Sequence, residues 1–159
     1  MVAGRGPERA ELEAQARRQG VAERVHLLGE VDDIRPVVRG ATALLLLSTR
    51  EGLARSVMEA LSLEVPVIAS SARGNRELLG EDRGLVYETG DIAGLTEAMS
   101  WIVDHPAEAR RMGELGRARM IERYDLSVLL RLHEDLYRSM LAERRAISGP
   151  ASLAGSRGS

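Results

Sequence analysis

The sequence predicts a single α/β domain in which helices cover the faces of a parallel sheet. Short apolar runs alternate with helix-length amphipathic segments, and this alternation is typical of parallel βαβ units. The chain has 159 residues, of which 44% are hydrophobic and 29% charged, so it can bury one core of ordinary size. We therefore expect one domain over residues 1–145 and a disordered, small-residue tail over residues 146–159.

The first half of the chain contains three expected strands and two expected helices. The strands are 1–3, 24–29 and 43–47, and the helices are 7–19 and 33–39. Pro7 suits the first position of a helix, and Gly20 suits its end. The apolar run at 43–47 is short and bounded by Ser48 and Thr49, which predicts a buried strand.

The second half continues the same alternation. We expect a helix from Leu53, a strand at 65–69, a polar, flexible loop at 70–75, a strand at 85–87, and helices from Asp91, over 107–123 and after Asp125. The last helix carries Leu126, Leu129, Leu130, Leu136 and Met140. This apolar stripe is larger than the surface we expect the domain to cover.

The segment from Ser48 to Leu61, a turn that opens into a helix, is the candidate functional site. Free backbone N–H groups and the positive end of the helix dipole favour an anion at the helix start, and Gly52 lets a ligand approach the backbone closely. Glu51 lies at this mouth, and Glu59 is expected about two turns further along, where the rise is about 1.5 Å per residue. This spacing fits an extended, phosphate-bearing sugar donor.

A simpler interpretation of the same residues remains open. An acidic residue near a helix start often only stabilises the helix end, and a glutamate within a helix is usually solvated. Arg73 and Arg76, after the strand at 65–69, could bind phosphate on the same rim of the sheet, since ligands bind at the carboxyl ends of parallel strands. Alternatively, Arg76 only caps and solubilises the short helix that follows.

The pattern around the two glutamates resembles a known family signature. Seven residues separate Glu51 from Glu59 within Ser-x-x-Glu-Gly-Leu-x-x-x-x-Met-Glu-Ala-Leu. This pattern resembles the signature of the retaining nucleotide-sugar glycosyltransferases of family 4, which have the GT-B architecture. The resemblance extends over about residues 2–140, through the segments 4–9, 65–69, 73–79, 84–87, 90–91 and 124–125.

The resemblance implies both a fold and an activity. The fold is the Rossmann-like donor-binding domain, the C-terminal half of a GT-B enzyme. The activity is transfer of a sugar from a nucleoside diphosphate sugar, of the UDP-sugar type, to an acceptor hydroxyl with retention, as in polysaccharide biosynthesis. Glu51 is implied as the catalytic residue, which binds the sugar hydroxyls and stabilises developing positive charge. Glu59 is implied to hold the ribose hydroxyls.

The resemblance also implies the remaining donor contacts. The backbone of Gly52, Leu53 and Ala54 would bind the diphosphate at the helix start, and Arg73 and Gly74 would border the donor pocket. No metal and no cofactor besides the donor are expected. A peripheral membrane association is expected only through a lipid-linked acceptor.

The family pattern is incomplete in this sequence, which affects the expected activity. Family enzymes have an N-terminal acceptor domain, and their donor domain opens with a strand and a basic loop, which we do not find here. Arg5 also stands where the family commonly has an acidic residue. We therefore expect weak donor binding at most and no efficient transfer without a partner domain or subunit. The alternative is a non-catalytic module that binds nucleotide or another protein.

Composition excludes several other classes. The net charge is −2 and the pI about 6.0, so no general attraction to nucleic acid is expected. The sequence has no cysteine, which excludes a disulfide framework and a thiolate metal site. No apolar run is long enough to span a membrane, and we expect a cytoplasmic location.

Overall fold

The computed structural model describes residues 1–147, the last three as backbone only. Within these residues the strands are β1 (Val2–Ala3), β2 (Leu27–Gly29), β3 (Leu44–Leu46), β4 (Val67–Ser70) and β5 (Gly84–Tyr87). The α-helices are α1 (Arg9–Arg18), α2 (Arg35–Arg39), α3 (Arg55–Ser62), α4 (Arg73–Leu79), α5 (Ile92–Asp104), α6 (Pro106–Tyr124) and α7 (Leu126–Ile147). The tail expected at 146–159 overlaps the end of α7 by two residues, and 148–159 lies outside the described residues.

All strand pairs are parallel, as the βαβ pattern predicts. β1 pairs with β2, and β3, β4 and β5 pair in that order. Leu44 is in register with Val67, and Val67 is in register with Gly84. The α/β class with a parallel arrangement is therefore confirmed, but the strands form two hydrogen-bonded groups instead of one continuous sheet among the described residues.

Strand β3 differs from the prediction of a buried strand. Leu45 of β3 is 38% exposed, and Leu47, which belongs to the predicted strand but follows β3, is 55% exposed, whereas every residue of β4 is buried. The reason is position: β4 has a neighbour on each side, and β3 pairs on one side only within the described part of the chain. An apolar run predicts a strand, but its burial depends on what pairs with both edges.

Helices pack on both faces of β4, and each face has its own core. Val67 and Ala69 belong to a cluster that includes Val57 and Leu61 of α3. Ile68, which lies between them in the strand and points the other way, belongs to a second cluster with residues of α5 and α6. The predicted inward stripe of α3 is confirmed, since Val57 and Leu61 are both 0% exposed.

Close backbone contact fixes α6 beside α3. A Cβ atom at Gly113 would lie 2.0 Å from the carbonyl oxygen of Glu64, just after α3. A second glycine, Gly116, packs in the same way on the Leu61 side chain. The absence of side chains at these two positions lets α6 lie directly on the turn between α3 and β4.

Helix α7 exposes most of the apolar stripe that the sequence predicts, although Leu129 is half-buried. From Leu130 to Arg144 every side chain is exposed. The exposed apolar residues are Leu126, Leu130, Leu132, Leu136, Tyr137, Met140 and Leu141. Among the helices described, none has the length and apolar character needed to cross a membrane.

Candidate functional site

The candidate site lies where the segment 48–54 leaves β3 and enters α3. The helix begins at Arg55, two residues later than predicted, because Ala54 has an extended backbone conformation with φ −73° and ψ 108°. Ala54 is buried, and no side chain within the described residues caps the helix start. The first-turn N–H groups therefore keep the capacity to bind an anion that the sequence predicts.

The two glutamates of the signature lie on either side of this helix start. Glu51 is half-buried and precedes α3 by four residues, and within the described part of the chain no cation or hydrogen-bond donor pairs with its carboxylate. Glu59 is the fifth residue of α3. It lies about 7.5 Å along the helix from Ala54, so it is closer to the helix start than the predicted two turns.

Glu59 is only loosely engaged by the protein. Its side chain is 44% exposed, and its Oε1 lies 3.6 Å from Nη2 of Arg55, whose own side chain is 90% exposed. An exposed pair of this length contributes little to stability. The Glu59 carboxylate can therefore turn to a ligand without breaking a strong contact.

Between the glutamates, the chain presents backbone to solvent. Gly52 and Leu53 are both exposed, and among the described residues no atom beyond those of Gly52 and its two chain neighbours lies within 4 Å of the position a Cβ would take at Gly52. A ligand can therefore approach the backbone at Gly52, as the sequence predicts.

The segment after β4 touches the Glu51 segment directly. A Cβ atom at Gly74 would lie 1.3 Å from the Gly52 carbonyl oxygen, so the backbones of these two residues are in close contact. The prediction that both segments share one rim of the sheet is confirmed. The flexible loop predicted at 70–75 is wrong for 73–75, because α4 begins at Arg73 and the N–H of Asn75 donates to the Ala72 carbonyl at 3.0 Å.

Beneath this contact lie two polar residues that the sequence analysis did not identify as functional. Ser70 and Asn75 are both 0% exposed. Asn75 Nδ2 donates to the Ser70 carbonyl at 3.0 Å, and the Ser70 hydroxyl donates to the Ser48 carbonyl. The available signal was a polar residue at the end of an apolar strand, followed by an asparagine in the next helix.

A second group of charges lies on the same rim, beyond β4. Glu88 accepts hydrogen bonds from the Ser71 hydroxyl at 2.9 Å and from Arg76 Nη2 at 2.6 Å. These bonds, the one from Ser71 first, lower the pKa of the Glu88 carboxyl. Because Arg76 donates to Glu88 and to the Ser71 carbonyl, the structure favours a structural role for it over phosphate binding, although not the predicted capping of the helix. Arg73 is exposed on the first turn of α4.

Metal ligands are not grouped in this region. Within residues 1–147, no cluster of three or more histidine, cysteine, aspartate or glutamate side chains is arranged to hold a metal ion. The expectation of a metal-independent site stays a prediction.

Comparison with protein families gives a match over most of the chain. Residues 1–119 match the family described as "Glycosyl transferases group 1". Among curated proteins, the D-rhamnosyltransferase WbpZ of Pseudomonas aeruginosa is 32% identical over 130 residues, covering 75% of this chain and 32% of that protein. The N-acetyl-alpha-D-glucosaminyl L-malate synthase of Bacillus anthracis is 25% identical over 144 residues, covering 90% of this chain and 38% of that protein.

Solved structures share the fold. Anabaena Alr3699/HepE in complex with UDP superimposes with a TM-score of 0.79 at 24% identity, covering 86% of this chain and 40% of that one. The same protein has also been solved in complex with UDP-glucose. The chain described here thus spans about a third to two fifths of the length of these relatives.

Proposed function

The chain belongs to the group 1 glycosyl transferases and has the α/β fold of the GT-B enzymes, and on this premise we propose that it is the donor-binding half of a sugar-transferring enzyme. The reaction is transfer of a sugar from a nucleoside diphosphate sugar to an acceptor hydroxyl. The observation that carries the proposal is the start of α3, which, among the described residues, has no side-chain cap and has one unpaired and one loosely paired carboxylate beside it.

The diphosphate is proposed to bind at the start of α3. Two phosphate groups need hydrogen-bond donors and positive potential, and the first turn of the helix offers both. Exposed backbone at Gly52 and Leu53, followed by Ala54, allows the phosphates to approach closely. Backbone donors would here stabilise the leaving group without a metal ion, and no further cofactor is proposed.

Glu59 is proposed to hold the ribose of the nucleotide. A carboxylate has two oxygens, which can accept hydrogen bonds from the two adjacent ribose hydroxyls at once. Its distance of about 7.5 Å along the helix from Ala54 is of the order needed to reach from a diphosphate to the sugar attached to it.

Glu51 is proposed to face the transferred sugar. From its position before α3 it can accept hydrogen bonds from sugar hydroxyls. It can also stabilise the positive charge that develops at the anomeric carbon as the bond to the diphosphate breaks. This is the proposed catalytic role, in a transfer that retains the anomeric configuration, as in family 4.

Two residues of α4 complete the proposed donor site. Arg73 is exposed on the first turn of α4, whose backbone touches Gly52, and its guanidinium can pair with a phosphate oxygen. Gly74 is buried, so we assign it an indirect role: its lack of a side chain allows Gly52 to occupy its place on the rim.

The nucleotide is proposed to be UDP, and the complete enzyme is proposed to contain a facing domain or subunit. HepE, which shares the fold, has been solved with UDP and with UDP-glucose. The relatives are more than twice as long as this chain, which leaves room for an acceptor-binding domain. Donor binding by this chain alone is expected to be weak. The proposed acceptors are those of polysaccharide biosynthesis, including lipid-linked ones.

The test is a calorimetric titration with UDP and with UDP-glucose, using the chain, a Glu51→Gln variant and a Glu81→Gln control. Glu81 is also a loop glutamate, exposed where Glu51 is half-buried, and its variant changes the net charge equally. We expect Glu51→Gln to weaken UDP-glucose binding by about tenfold while UDP binding stays unchanged, because a hydrogen bond to a charged group is lost. Equal affinities in all three proteins would reject the role of Glu51.

A second function, association with another protein, is favoured by the exposed stripe of α7. Among the described side chains of this helix, seven large apolar ones are exposed, which is unusual for a surface without a partner. If nucleotide binding is absent and the chain self-associates or binds another polypeptide through α7, the interaction module replaces the donor half-site as the better account.

A further inference from the structure

The segment that carries Glu51 rests on two buried polar side chains, one from β4 and one from α4. The hydroxyl of Ser70, the last residue of β4, donates to the backbone carbonyl of Ser48. Asn75 Nδ2 donates to the Ser70 carbonyl at 3.0 Å and lies 3.4 Å from Ser70 Oγ. A continuous chain of hydrogen bonds therefore leads from α4 to the residue three positions before Glu51.

Asn75 is an energetically unfavourable choice for a residue that only fills space. Within the described residues, no donor reaches its Oδ1, although the side chain is 0% exposed. A buried acceptor without a partner lowers stability, a penalty that an apolar side chain of similar shape does not carry. The two contacts made by its Nδ2 are therefore the feature that explains an amide at this position.

The segment 48–54 is held at a second point as well. Its Gly52 carbonyl packs against the backbone of Gly74, where a Cβ would lie only 1.3 Å away. Ser48 is thus fixed by Ser70, and Gly52 is fixed by Gly74. Glu51 lies between these two points and has no partner of its own among the described residues, so its place depends on them.

We propose that Ser70 and Asn75 are positioning residues for the donor site. Their hydrogen bonds hold segment 48–54 in one conformation, so the Glu51 carboxylate is in place before the nucleotide sugar arrives. A site fixed in advance binds more tightly, because the ligand does not have to order the segment. The identity of the ligand as a nucleotide sugar rests on the proposed function, whereas the restraint on segment 48–54 does not.

The test uses two variants, Ser70→Ala and Asn75→Leu, with Ser62→Ala as the matched control. Ser62 Oγ also donates to a backbone carbonyl, that of Met58 at 2.7 Å, but at the far end of α3. Ser70→Ala removes only one hydroxyl, so it still tests the inference if Asn75→Leu does not fold.

The first readout is the backbone order parameter of each residue, measured by ¹⁵N relaxation without ligand. We expect values at 49–53 to fall from about 0.85 to below about 0.6 in both variants, and to stay unchanged in Ser62→Ala. Order parameters at 49–53 that match the unmodified chain in both variants overturn the inference, as does a decrease spread evenly over the domain.

The second readout is the ratio of the affinities for UDP-glucose and UDP. The inference predicts that Ser70→Ala weakens the binding of both ligands and lowers this ratio by about threefold, because the loosened segment carries the diphosphate contacts at Gly52 and Leu53 as well as Glu51, which contacts only the sugar. A mobile segment with an unchanged ratio contradicts a role in donor binding. If the unmodified chain binds no UDP, the proposed function fails, and the order parameters alone decide whether Ser70 and Asn75 hold the segment.

Discussion

Two glutamates on the same rim of the molecule have opposite surroundings. Glu51 follows β3 and finds no cation or hydrogen-bond donor within the described part of the chain, and the helix after it starts without a side-chain cap. Glu88 follows β5 and accepts hydrogen bonds from both Ser71 and Arg76. The residues are alike, and both lie at the carboxyl end of a parallel strand.

The difference separates a region that can bind a ligand from one that holds the rim together. At Glu88, the protein supplies the partners of the carboxylate, so this group links the ends of β4 and β5 and has little left to offer a ligand. At Glu51, the carboxylate and the first N–H groups of α3 keep their capacity to form hydrogen bonds with a ligand. We infer that the Glu51 side of the rim binds the ligand and that the Glu88 side holds the rim together.

The largest effect is expected from Gly74→Ala, which attacks the contact between the supporting and binding segments. The added methyl group would lie 1.3 Å from the Gly52 carbonyl oxygen, so the backbone must move. We expect a loss of about 3 kcal/mol in the free energy of unfolding, as for an overpacked core, together with loss of UDP-glucose binding. Urea unfolding and calorimetry measure the two effects.

Gly113→Ala is the control for this change. Its methyl group would lie 2.0 Å from the Glu64 carbonyl oxygen, in a similar contact that does not involve segment 48–54. It should lower stability but, at temperatures where the chain is folded, leave nucleotide binding intact. Equal loss of binding in both variants would show that Gly74 has no special connection with the site.

A smaller effect is expected when the two arginines of α4 are compared. Arg73→Ala should weaken UDP binding by about two- to fivefold, the range of an exposed charge pair. Arg76→Ala should leave it unchanged, because Arg76 pairs with Glu88 at 2.6 Å. Titration of both variants with UDP at two salt concentrations checks this prediction. A larger loss of UDP affinity in Arg76→Ala than in Arg73→Ala would reverse the assignment of the binding and supporting regions.

The smallest effect is the pH dependence contributed by Glu88. Its pKa is lower in the folded chain than its usual value, so it adds stability above that usual value, and the addition is lost as the pH falls through the lowered pKa. The loss should appear below about pH 4.5. Thermal unfolding from pH 6 to pH 3 should show a slightly shallower decline in Glu88→Gln. Identical curves would mean that the Ser71 and Arg76 contacts do not persist in solution.

Periodic patterns predicted the parts of the fold that depend on a single element. The inward stripe of α3, with Val57 and Leu61, needed only helical spacing, and the parallel order followed from alternating strands and helices. The exposure of Leu45 could not be predicted, because it depends on which strand pairs with the second edge of β3.

The site was predictable where its residues are adjacent in sequence. Glu51, Gly52 and the start of α3 form one local motif, so their arrangement follows from helix geometry. The contact of Gly74 with Gly52, and the support of Ser48 by Ser70, join segments 22 residues apart. Such contacts depend on how two strands pair, which local propensity does not specify.

Titration of the ¹⁵N-labelled chain with UDP shows whether a nucleotide binds at the start of α3. The comparison is between Glu59→Gln and Glu114→Gln, since each removes the charge of a glutamate that pairs with an arginine four residues earlier on an exposed helix face. We expect saturable shifts of the amides at 52–57 in the unmodified chain and in Glu114→Gln. The expected Kd is about 1 mM, equivalent to about 4 kcal/mol.

In Glu59→Gln, we expect a Kd about tenfold higher at the same amides, because the ribose loses a charged acceptor. Absent shifts at 52–57, or a Glu59→Gln chain that binds UDP as tightly as the unmodified one, would rule out a nucleotide site at the start of α3.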